Sequence, residues 1–128
     1  MKILILLTII LTAGAVTGRI AAQDAASVSK RANQQYVLFE SERDKGTNIT
    51  AMYDYLLESY VNFIKIVEAP DNGQYLEGAK NRLRSLYPYL LNGAVYYSEQ
   101  KQPAKALGFA SAYSDMPQLA IFRIELLP

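Results

Sequence analysis

The residues of this chain that could do chemistry are carboxylates, amines, amides, hydroxyls and phenols, because histidine and cysteine are both absent. Their absence removes imidazole bases, thiol nucleophiles, disulfides and nearly every zinc or copper site. Catalysis would have to come from Asp, Glu, Lys, Tyr or Ser alone. Glu40, Glu42 and Asp44 stand together in "ESERD", and paired carboxylates are the machinery of glycoside hydrolysis. One member of such a pair must be desolvated to hold its proton, and nothing nearby in the sequence would do that. Lys80, Arg82 and Arg84 could meet an acidic partner. Lys80 and Arg84 fall one helical turn apart and repel each other, so a solvated face explains them better. "NIT" at Asn48 spells a glycosylation sequon and is equally an ordinary helix cap. No phosphate loop, metal cluster or nucleophile–base pair is present in the sequence. The chain is therefore expected to be no enzyme and to need no cofactor or metal.

With chemistry set aside, shape remains. The 128 residues make one domain the expectation. Hydrophobic residues at 51% and charged ones at 20% suit a globular protein and are too apolar for disorder. A formal net charge of +1 gives no basic excess to hold nucleic acid. There are 10 tyrosines and no tryptophan. Tyrosine is a large apolar body with one polar tip, suited to half-buried positions between helices or at an interface.

The first residues read as a secretory signal peptide over 1–22. Lys2 is the positive start, and residues 3–16 are apolar. That run falls short of the ~20 residues that cross a bilayer. Cleavage is expected after Ala22, with a cut after Ala15 as second choice and an uncleaved anchor as the alternative. A lipid-modified terminus needs a cysteine and is excluded. The chain is thus expected to be exported, to the bacterial periplasm or beyond, and to meet membrane only through this peptide.

The rest reads as all-α, with five antiparallel helices joined by short links. The first covers 27–45, with Val28, Ala32, Tyr36 and Phe39 at spacings of three and four, and Gly46 as its stop. Asn48 or Thr50 caps the second, which runs to Glu68. Tyr53, Leu56, Leu57, Tyr60, Phe63, Ile64 and Val67 form its apolar stripe, and Asp54, Glu58, Asn62 and Lys65 its polar one. Asp71 and Gln74 fit a capping box for the third. Pro88 should end that helix and open the fourth, because proline is welcome at a first position and costly inside. The fourth runs to Glu99. Pro103 opens the fifth and Pro117 stops it.

Slid along itself, the sequence lays Tyr53 on Tyr89, Leu57 on Gly93 and Tyr60 on Tyr96. From Tyr89 the pattern continues through Gly93, Tyr96, Phe109 and Ala112 to Pro117. This resembles the tetratricopeptide repeat, a helix–turn–helix of 34 residues. Asn92 stands where the pattern has leucine and Lys105 where it has alanine, with Ala106 next to it. A first, more degenerate copy uses Tyr53, Leu56 and Tyr60, then Ala79, Leu83 and Leu86. The resemblance covers residues 51–117. It implies stacked hairpins, small residues that let two helices touch, and a groove for a protein or peptide partner lined by the first helix of each copy. Carried over residue by residue, that groove takes Asp54, Glu58, Val61, Asn62 and Lys65, then Leu90, Ala94, Tyr97, Ser98 and Lys101. Asp54, Glu58, Asn62, Lys65, Tyr97 and Lys101 are the candidate binding residues. A plainly solvated face accounts for the same polar stripe.

After Pro117 comes an apolar tail over 118–128, with Leu119, Ile121, Phe122, Ile124, Leu126 and Leu127. Two repeats are fewer than the three or so that usually stand alone. The tail therefore suggests the start of a longer repeat protein, or a segment that folds back or joins a second subunit. The expected function is an exported interaction or scaffold module. The alternatives are a structural helical bundle of the envelope without a groove, and a glycan-binding lipoprotein, which the missing cysteine disfavours.

Overall fold

The computed structural model describes residues 22–69, 72–119 and 121–122. Residues 1–21 of the expected signal peptide, Asp71 of the expected capping box, and residues 120 and 123–128 of the tail lie outside them. Among the described residues there are four α-helices, one 3-10 turn and no strand. They are α1 (Ala22–Lys45), α2 (Ile49–Glu68), α3 (Gly73–Glu99) and α4 (Pro103–Asp115), followed by the turn Met116–Gln118.

Local chemistry sets the boundaries. Gly46 ends α1 at φ 68°, in the left-handed region that glycine enters freely. The Asn48 side chain accepts from the Ala51 amide at 3.0 Å and caps α2. Asn72 precedes α3 without capping it. Its amide turns back instead and donates to the Ile66 and Val67 carbonyls at 3.1 Å each, closing the end of α2.

The sequence predicts a break at Pro88, and there is none; α3 runs through it. Five expected helices become four. The reason is a balance of burial against strain. An internal proline costs about 3 kcal/mol. Leu83, Leu86 and Leu90 flank Pro88 and are wholly buried, and each contributes roughly 1.5–3 kcal/mol by leaving water. Pro88 and Arg84 are exposed, so the Arg84 carbonyl that loses its helical donor can take water.

This continuity changes the grouping of the helices. Had the chain reversed at Pro88, residues 89–99 would run parallel to α2. Instead Asp54 and Thr50, near the start of α2, meet Tyr97 and Tyr96 near the end of α3. The two tyrosine-matched segments therefore run antiparallel, and the hairpins are α1–α2 and α3–α4. α1 runs parallel to α3, through Asn33–Arg82 and Phe39–Tyr89. α2 runs parallel to α4, through Asp54–Lys105 and Tyr60–Ala112. The packed seams are α1–α2, α2–α3 and α3–α4, with a lesser one between α1 and α3.

The α3–α4 seam turns on Gly93. A Cβ there would lie 2.5 Å from Cδ1 and 2.7 Å from Cε1 of Phe109, a ring that is itself buried and stacked 5.5 Å from Tyr97. The ring has nowhere to go. Gly93→Ala should lose roughly 1–3 kcal/mol by overpacking, although alanine is the better helix former. Nothing lies within 4 Å of a Cβ at Gly78, so Gly78→Ala should gain up to about 1 kcal/mol. Urea unfolding of the two variants checks the contrast.

Candidate functional site

The six candidate residues divide among three places. Glu58, Asn62 and Lys65 line a cleft of about 630 Å³ between α1 and α2. Its walls take apolar surface from Val28, Leu57 and Val61, and Arg31 stands on the α1 side. Across it runs a chain of amides. Gln35 donates to Glu58 Oε2 at 2.8 Å and accepts from Asn62 Nδ2 at 2.7 Å. Gln35 is only 7% exposed, so its amide would be costly to leave unmatched; the two partners fix its orientation. Sequence reasoning missed Gln35. The signal was there: it sits between Ala32 and Phe39, on the face of α1 that is otherwise apolar.

Asp54 and Tyr97 meet elsewhere, beside α4. The Tyr97 hydroxyl donates to Asp54 Oδ1 at 2.7 Å. Lys105 Nζ lies 3.7 Å from the same oxygen and 5.0 Å from the centre of the Tyr97 ring. Tyr97 is wholly buried, among Tyr53, Tyr96 and Phe109. Its ring is therefore core, not a groove wall, and its polar tip is spent on Asp54. Burial, and then the Asp54 carboxylate, push the Tyr97 phenol well above the ordinary tyrosine range. Lys105, which departs from the repeat pattern, bridges two of the candidate residues. Its ammonium needs an exposed position and an acidic neighbour, and it has both.

Lys101 stands alone in the turn between α3 and α4. It adopts φ 59°. The Lys101 amide donates to the Ser98 carbonyl at 3.1 Å and the Gln102 amide to the Tyr97 carbonyl at 2.9 Å. This pair of bonds closes a helix end around a left-handed residue. Lys101 is held for its backbone.

The other titratable clusters are paired locally. Glu40 and Asp44 flank Arg43, at 3.8 and 3.2 Å, and Glu42 lies 3.7 Å from Lys45. Arg82, expected on a solvated face, lies over Tyr36 at 4.2 Å and donates to Asn33. Tyr87 and Tyr113 stack face to face at 4.6 Å; burial and their mutual hydrogen bond raise the Tyr87 phenol. Among the described residues no three acidic side chains gather where a metal ion could sit, and no helix is long and apolar enough to cross a membrane. No protein-family model, no curated protein and no solved structure gives a significant match to the chain.

Three outcomes follow from this geometry. Tyrosines with raised values are neutral in the fold, so their share of stability is intact below the ordinary value of 10.0 and is lost as pH climbs past it. Tyr60 is pushed up to about 12, first by burial. Urea midpoints should hold from neutral pH to about 10 and fall beyond it. Tyr97→Phe should cost about 1 kcal/mol at neutral pH, since Asp54 is half in water, and should fall less steeply above pH 10. Lys101→Gly should gain about 0.5–1 kcal/mol by relieving the left-handed backbone, read as a higher melting temperature.

Proposed function

We propose that this chain is an exported, non-enzymatic module for protein–protein interaction, built as a short stack of helix hairpins of the tetratricopeptide type. The order of packing carries the reading. α1 runs parallel to α3 and α2 to α4, and α1 and α4 share no seam. A closed four-helix bundle brings its first and last helices together around one core. A stack of hairpins leaves both ends open. The second copy of the resemblance, from Tyr89 to Pro117, gains support from Gly93 seated against Phe109, with Ala112 buried one turn further along α4; the first copy, in which Tyr53 is matched to Tyr89, does not. Export rests on Lys2 and the apolar run that follows it.

The α1–α2 cleft is the surface offered to a partner. Arg31 and Lys65 stand at it without an ion pair among the described residues, and Val28, Leu57 and Val61 give it apolar surface. Its size lies within the range of ligand clefts. The fitting ligand is a peptide segment that mixes apolar and acidic side chains. Glu58 is held by Gln35, which keeps its carboxylate turned to an amide.

An array of short peptides, probed with the full chain, tests this. Peptides mixing apolar and acidic residues should be retained, and added salt should weaken them. Arg31→Glu combined with Lys65→Glu should reduce retention by about tenfold or more, about 1.4 kcal/mol. Retention unchanged in that variant would remove the cleft as the site, and no retention at all would remove the binding function.

A further inference from the structure

Two asparagine–glycine pairs stand in this chain, Asn72–Gly73 and Asn92–Gly93. Such a pair carries a chemistry of its own. The glycine has no Cβ to keep its backbone nitrogen away from the asparagine side chain. The fold places the two pairs differently. Asn92 and Gly93 lie deep inside α3, where the Gly93 amide is held in the helical ladder and Phe109 packs against the glycine. Asn72 and Gly73 lie at the opening of the same helix. Gly73 is its first residue, and the amides of a first turn find no acceptor within the helix. Nothing lies within 4 Å of a Cβ at Gly73, so the backbone has room to turn there.

Asn72 also joins two elements. It is half-buried, and its Nδ2 donates to the Ile66 and Val67 carbonyls at 3.1 Å each. Those carbonyls belong to the last turn of α2, the negative end of that helix. The position itself is the N-cap of α3, where a side-chain oxygen that accepts from amides is favoured. The Asn72 side chain makes no such bond. It serves α2 as a donor and leaves α3 uncapped.

We propose that Asn72 is a site of spontaneous deamidation, and that the product shifts this side chain from closing α2 to capping α3. The Gly73 amide gives its proton to hydroxide, and its nitrogen bonds to Cγ of Asn72. The Cγ–Nδ2 bond breaks. Nδ2 takes a proton from water and leaves as ammonia, which restores the hydroxide and leaves a cyclic imide. Water then opens the ring. Addition at the side-chain carbonyl yields aspartate, and addition at the main-chain carbonyl yields isoaspartate. In sum, one amide and one water become a carboxylic acid and ammonia, with no oxidant or cofactor. The carboxylate that results has no hydrogen to donate. It gives up both bonds to α2 and is repelled by the carbonyls there, while the free amides at the start of α3 attract it. The change falls at the joint between the two hairpins, and it does not depend on the α1–α2 cleft.

Peptide mapping of the full chain, kept folded at mildly alkaline pH, tests this. Trypsin cuts after Lys65, Lys80, Arg84 and Lys101, so Asn72 falls in the peptide 66–80 and Asn92 in the peptide 85–101. The first peptide should gain one mass unit about tenfold or more faster than the second, since Asn92 reacts only when α3 opens. Fragmentation should place the gain on Asn72 rather than Gln74. In urea the two rates should draw together. Gly73→Ala, which the open space admits, should slow the gain in 66–80 severalfold while the chain stays folded. Asn72→Asp reproduces one product directly. It should speed hydrogen exchange in the last turn of α2 and slow it in the first turn of α3. A gain in 66–80 that appears in urea but not in the folded chain would mean that the bonds to α2 lock Asn72, and would overturn the proposal. Equal gains in both peptides of the folded chain would do the same. Unchanged exchange in Asn72→Asp would refute the transfer from α2 to α3.

Discussion

Leu83, Leu86 and Leu90 lie within about a turn and a half of Pro88 on either side, and the burial of all three holds α3 in one piece. The other helices take their places from that continuity. The first half of α3 meets α1 through Arg82, which lies on Tyr36 and reaches Asn33. Tyr89, just past the proline, packs edge-on against Phe39 of the same helix. The last turns meet α2 through Tyr96 and Tyr97. One turn before Tyr96, Gly93 meets α4 through Phe109. A helix broken at Pro88 could serve only some of these contacts, since its two halves would lie side by side. The proline's cost is local and of the order of 3 kcal/mol. The contacts it would sacrifice run the length of the fold.

The abundance of tyrosine follows from how these helices meet. A phenylalanine in each place would bury as much surface but give up the hydrogen bonds that the hydroxyls make at the rims of the seams. Tyr97 fills the centre of the α2–α3–α4 junction and still delivers its hydroxyl to Asp54 at the rim. Tyr96 shares a hydrogen bond with Thr50 at 2.7 Å, and Tyr60 points its hydroxyl toward the Ala112 carbonyl at 3.5 Å. Each ring reaches from core to edge. No buried side-chain nitrogen or oxygen among the described residues is left without a partner. A core assembled this way is specific as well as apolar, because a rotated helix would strand hydroxyls in a dry seam.

What was legible in the sequence was local. The stripe of α2, the stop at Gly46, the cap at Asn48 and the start of α4 at Pro103 all depend on residues within a few positions of one another, and the structure has them. The small residue at Gly93 was legible too, because it falls where the repeat pattern has two helices touch, and Phe109 stands against it there. What failed depends on distant burial. Nothing near Pro88 says that leucines on both sides will be sealed by other helices. Once the helix continued, the match of Tyr53 to Tyr89 joined antiparallel segments, and the groove derived from it came apart. Glu58, Asn62 and Lys65 stayed together, as one face of one helix must. Asp54 went to Tyr97 and Lys105, and Lys101 to a turn. Gln35 was hidden for the opposite reason. A polar residue in an apolar stripe looks like an interruption until its two partners arrive from the next helix.

The surfaces beside the two hairpins differ in polarity. The α1–α2 cleft carries Arg31, Lys65, Glu58 and two amides among its walls. Such a surface is comfortable in water. It loses little when empty and gains mainly from charge when filled, so it suits a partner that comes and goes. The α3–α4 groove is mostly apolar, with Ser98 and Glu99 its polar lining and Leu107 and Val95 standing out of it. That surface is uncomfortable in water, and its gain on covering is not weakened by salt. Evolution tolerates the first kind as a free face; the second calls for lasting cover. The polarity difference between the two hairpins thus sets a charged, mixed cleft at one against a mostly apolar groove at the other.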